Sequence, residues 1–60
     1  MKPKEMARVI EQLGLKKYHV ALELKIHPSV LSRYLNNSGD MTAEQNQKVT
    51  EYLNKLRKAV

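Results

Sequence analysis

The chain is expected to fold as one small all-α domain over residues 1–60, built from four short helices, or five at the outside. Three observations carry that expectation. Apolar residues recur at helical spacing in four separate stretches. Residues that end or start helices separate those stretches: Gly14, Pro28 and the run Asn36-Asn37-Ser38-Gly39-Asp40. The two middle stretches are joined only by Lys25, Ile26 and His27. So short a link forces a steep crossing, and the small Ala21 stands where the two helices would approach most closely. Residues 17–36 therefore have the outline of a helix-turn-helix.

Each element has its own local cause. From Lys4, the positions Met6, Val9, Ile10 and Leu13 follow the i, i+3, i+4, i+7 spacing of one helix face. Pro3 suits a first turn, where its missing N–H costs nothing. Gly14 reads as the left-handed residue after the helix, with Leu15 folding back as its apolar contact. The first helix is placed at 4–13, and residues 1–3 are expected to fray.

The second helix is placed at 17–24, with Val20, Ala21 and Leu24 on its inner face. Lys16 at its N-cap cannot accept from the first N–H groups, so this start is poorly capped. Lys25 must take a backbone conformation that glycine adopts more easily. Pro28 restarts the chain as a helix and disfavours helical geometry for His27 before it. The third helix is placed at 28–35, with Leu31, Tyr34 and Leu35 inward and Ile26 in the link. Thr42 and Gln45 form a capping box. The fourth helix follows at 43–58, with Val49, Tyr52, Leu53, Leu56 and Val60 as its apolar stripe.

Composition narrows the function classes. Sixty residues bury roughly 60% of the surface that the unfolded chain exposes, so stability is marginal and a partner subunit would help. The chain has no cysteine, which removes disulfides and thiolate metal sites, and His19 and His27 cannot close a zinc site alone. No cofactor and no metal are expected. Eleven Lys and Arg against six Asp and Glu leave a net charge of +5, which favours polyanionic partners. No apolar run is long enough to span a bilayer. The opening MKPKEMARVIEQ is broken by Glu5, Arg8 and Glu11 and does not read as a signal peptide, so a cytoplasmic, nucleoid-associated location is expected. Catalysis is not expected. His27, Ser29, Ser32 and Asp40 form the only set resembling a triad, and three of them crowd one short segment where they cannot converge.

On the third helix the outward residues are Pro28, Ser29, Ser32 and Arg33. Arg33 is the strongest candidate to read sequence, because its planar fork pairs bidentately with guanine O6 and N7. A solvated arginine, or one paired with Glu23, is the plain alternative. Ser29 and Ser32 are short donors and acceptors suited to bases or phosphates. Lys17, Tyr18, His27, Asn36 and Asn37 are the candidates to touch the DNA backbone, with half-buried packing the alternative for Tyr18 and a plain cap or turn role the alternative for His27.

The segment ALELKIHPSVLSRYLNN resembles the helix-turn-helix of the Cro and lambda-repressor family, and the likeness runs on through MTAEQNQKV. That resemblance implies a lambda-repressor-like fold, with phosphate contact at Lys17, base reading at Ser29 and Arg33, Ser32 facing the DNA, and backbone contact from Asn36 and its loop. Four positions depart from the family's pattern. Lys17 replaces a common glutamine, Lys25 and Asn37 replace common glycines, and Asn46 stands where a leucine usually packs. The last departure leads us to expect a weaker core or a rotated fourth helix. The function implied is a phage or mobile-element repressor, or Cro-like protein, that acts on double-stranded DNA by operator occupancy. A homodimer on DNA would use Leu53, Leu56 and Val60. The alternative is a protein-interaction module on the same fold, an antirepressor or corepressor that binds another regulator.

Overall fold

The computed structural model describes residues 1–59, and these form four α-helices. They are α1 (Pro3–Gln12), α2 (Lys17–Glu23), α3 (Pro28–Leu35) and α4 (Ala43–Ala59). No fifth helix and no strand occur among the described residues. Val60, which the sequence placed at a dimer contact, lies outside them.

Three helices end in the same way. After α1, the Leu15 and Gly14 N–H groups donate to the Ile10 and Glu11 carbonyls, both at 3.0 Å. The corresponding donors after α2 are Ile26, to Ala21 at 2.8 Å, and Lys25, to Leu22 at 3.2 Å. After α3 they are Ser38, to Arg33 at 2.9 Å, and Asn37, to Tyr34 at 3.1 Å. This paired pattern is the Schellman motif, and it needs a left-handed residue at its corner. Gly14, Lys25 and Asn37 supply it, with φ of 70°, 59° and 63°. Only Gly14 takes that conformation without a steric penalty.

Helix starts are less uniform. Lys2 before α1 and Lys16 before α2 make no side-chain cap bond, while Pro3 occupies the first turn of α1. His27 caps α3 through its ring. At α4 the expected capping box forms: the Gln45 N–H donates to Thr42 Oγ1 and the Thr42 N–H to Gln45 Oε1, each at 3.1 Å.

The core joins all four helices. Met6, Val9 and Ile10 from α1 meet Val20 and Ala21 from α2, Ile26 from the turn, Leu31 and Leu35 from α3, and Val49 and Leu53 from α4. Ala21 is fully buried, as close approach of α2 and α3 requires. Leu13, Leu15, Leu24, Val30, Tyr34 and Tyr52 pack around this centre.

Two expectations are corrected. Residues 1–3 do not hang free, because Met1 docks on α3 and α4. Its amino group donates to Asn46 Oδ1 at 2.9 Å and to Thr50 Oγ1 at 3.2 Å. Its carbonyl accepts from Tyr34 OH at 2.6 Å and from Asn46 Nδ2 at 3.0 Å. Asn46 also donates to Tyr34 OH at 2.8 Å and accepts from Thr50 Oγ1 at 3.1 Å. Its amide thus ties the chain start, α3 and α4 together where an apolar side chain was expected. Helix α4 is not rotated, since Val49 and Leu53 still face inward.

Candidate nucleic-acid interface

At ~100° per residue, positions 29 and 33 of α3 and the C-cap position 36 fall within roughly 60° of one another and lie opposite Leu31 and Leu35. Ser29, Arg33 and Asn36 are exposed, and Leu31 and Leu35 are buried. Burial of one stripe therefore orients the other. Ser32 and Pro28 are half-buried on the flank of this outer face, and Val30 and Tyr34 on its other side. The four residues expected at bases thus separate into two outer ones, Ser29 and Arg33, and two flanking ones.

Local bonds determine how the outer residues are presented. His27 has an extended backbone, and its Nδ1 accepts from the Ser29 N–H at 3.2 Å. The Ser29 hydroxyl lies 2.7 Å from the same nitrogen. Arg33 is held from its C-terminal side. Its carbonyl takes the Ser38 N–H at 2.9 Å and the Ser38 hydroxyl at 3.3 Å. Gly39 then passes so close that a Cβ built on it would lie 2.9 Å from Arg33 Cβ and 3.6 Å from Cδ. The loop at 36–40 thus lies against the Arg33 stem, and glycine is what lets it lie there. Arg33 makes no ion pair with Glu23; Lys48–Glu44, at 3.9 Å on α4, is the salt bridge found among the described residues.

The residues expected at the DNA backbone are all exposed: Lys17, Tyr18, His27, Asn36 and Asn37. Lys17 opens α2, and Tyr18 beside it is 58% exposed, its ring 6.4 Å from that of His19. Asn37 has neighbours that the sequence did not single out. Together with Lys2, Pro3 and Lys4 it lines a cleft of about 200 Å³ between the start of α1 and the loop. Two lysines therefore stand beside the loop that follows α3. Gly39 was also missed, because one loop glycine carries no local sign of the side chain it accommodates.

The proposed dimer contacts need correction. Leu53 is fully buried in the core and is not available to a partner, because α4 packs on α1 with that side inward. Leu56 is half-buried, and Ala59 beyond it is exposed. No group of three or more His, Cys, Asp and Glu side chains among the described residues is placed to hold a metal ion. No described helix is long and apolar enough to cross a membrane. No protein-family model matches this chain, and neither curated proteins nor solved structures give a match.

Proposed function

We propose that this chain is a sequence-specific DNA-binding regulator, a repressor or Cro-like protein of phage or mobile-element type that works by occupying an operator. The carrying observation is the outer face of α3. Ser29 and Arg33 project from it opposite a buried stripe, and neither is committed to the core. An α-helix so presented fits the major groove, where Arg33 pairs with guanine. Lys25 and Asn37 border the same helix, Lys17 opens α2, and Lys2 and Lys4 adjoin Asn37. These cations and amides supply phosphate contacts that fix register without reading sequence. Action is by binding, in the cytoplasm, with no catalytic step. One such module reads few base pairs, so two copies on half-sites about one helical turn apart give useful specificity. With Leu53 in the core, the end of α4 at Leu56 and Ala59 is left to join them.

Selection from a DNA library at several salt concentrations tests this reading. The expected result is a short palindromic motif whose log affinity falls linearly with log salt. Arg33→Ala should cost about 1–3 kcal/mol and relax one position of the motif. A folded protein that enriches no sequence refutes the proposal.

One observation favours the second reading, a protein-interaction module acting on another regulator. Tyr18 and Leu22 lie one turn apart on α2 and, at 58% and 52% exposed, are the exposed large apolar side chains among the described residues. That reading requires partner binding that survives Arg33→Ala and Ser29→Ala and is lost in Leu22→Ala.

A further inference from the structure

The cap of α3 determines the hydrogen-bonding sense of the serine beside it. A neutral imidazole has one protonated nitrogen and one with a lone pair. His27 Nδ1 accepts the Ser29 backbone N–H, so Nδ1 carries the lone pair and the ring proton sits on Nε2. The Ser29 hydroxyl lies 2.7 Å from that same Nδ1. Two lone pairs facing each other at that distance would repel, so the hydroxyl must point its single proton at the nitrogen. Ser29 Oγ then offers only lone pairs to whatever approaches the outer face of α3, and the exposed His27 offers Nε2–H.

The major groove presents two kinds of edge to such an oxygen. Adenine N6 and cytosine N4 are donors, adenine also carries the N7 acceptor, and guanine O6 and N7 and thymine O4 are acceptors only. We infer that Ser29 acts only as an acceptor and selects an adenine or cytosine amino group, with His27 as the positioning residue that imposes this choice. The inference rests on the proposed DNA-binding function. It adds a base class at a second position beside the guanine assigned to Arg33. His27 Nε2–H, a donor without an accepting role, suits a phosphate oxygen on the same strand.

Two measurements test it. The first needs no DNA: a long-range ¹H–¹⁵N spectrum of the ring should show the Nε2–H tautomer. Protonation at Nδ1 overturns the inference, whatever the protein binds. The second is motif selection with the wild type, Ser29→Ala, His27→Ala and His27→Asn. The position read by Ser29 is the one whose preference disappears in Ser29→Ala. There, on the strand that carries the guanine read by Arg33, the wild type should select A or C. His27→Ala frees the hydroxyl proton and should admit G or T, with discrimination falling on the order of tenfold. Asparagine caps through an oxygen that can only accept, so His27→Asn should keep the preference and controls for loss of the cap itself. Preference for G or T on that strand in the wild type, or an unchanged preference in a folded His27→Ala, overturns the inference while leaving the Arg33 reading intact. If the tautomer is Nε2–H and no motif is enriched, the DNA-binding proposal falls and the base preference falls with it.

Discussion

Lys25 tests whether the turn between α2 and α3 is strained. Its φ of 59° lies in the left-handed region, and its side chain is exposed and free of the described salt bridge. The bonds that close the turn are backbone bonds, Lys25 N–H to Leu22 and Ile26 N–H to Ala21, and any residue other than proline can make them. Substitution therefore changes three things only. A left-handed L-residue costs roughly 1–2 kcal/mol relative to glycine in the same conformation. Glycine raises the entropy of the unfolded chain, which offsets about 0.4–1 kcal/mol of that gain. Loss of the lysine also removes a cation from the negative end of α2, about 0.3 kcal/mol at an exposed site.

Comparing Lys25→Gly with Lys25→Ala cancels the charge term. Lys25→Gly should then be the more stable of the two by about 0.5–1 kcal/mol, which in a domain of this size is roughly 2–8 °C in Tm. Thermal and urea melts followed by circular dichroism measure it, with equal m-values confirming that the denatured state is unchanged. If Lys25→Ala melts at or above Lys25→Gly, the left-handed turn is not a source of strain and the reasoning fails.

Gly39→Ala places a methyl 2.9 Å from Arg33 Cβ, so the loop must shift. Stability should fall by about 1 kcal/mol, as for a modest overpacking, and Arg33-dependent discrimination should drop in motif selection. Ser38→Ala, which removes only a 3.3 Å hydroxyl contact, should change neither. Lys17→Ala and Lys4→Ala should each lower the slope of log affinity against log salt by about 1 without altering the selected motif, as read by binding titrations across salt. Leu56→Glu should abolish paired half-site binding, seen as a loss of the two-protomer complex in sedimentation. A complex of unchanged mass places the dimer contact elsewhere than the end of α4.

The helices were legible because their ends are written in adjacent residues. Pro28 both starts α3 and keeps His27 out of it, and Thr42 and Gln45 name the start of α4 from three residues apart. The outer face of α3 followed from the same arithmetic, since burying Leu31 and Leu35 leaves Ser29 and Arg33 outside. What could not be read depends on contacts between distant residues. Asn46 looks like a defect in an apolar stripe until Met1, 45 positions away, is placed against it. Leu53 and Leu56 belong to one stripe, yet only the packing of α4 on α1 determines which is core. Gly39 is an ordinary loop glycine until the chain turns back at Asn37 and lays it on Arg33.

The left-handed residues are distributed unevenly with respect to the proposed interface. Gly14, at the end of α1, takes its corner without strain and bears no candidate contact. Lys25 and Asn37 take the same corner at a cost, and they stand immediately before and after the segment that carries His27, Ser29 and Arg33. Backbone strain retained at a functional site is repaid only if the side chain does something that glycine cannot. A cation at 25 and an amide at 37 meet that condition if phosphates pass on both sides of α3. Lys25→Gly is therefore a test of function as well as of strain, because the same variant that gains stability over alanine should lose about one unit of salt slope relative to the wild type. Greater stability with an unchanged slope would mean that the strain serves no contact at this end of the helix.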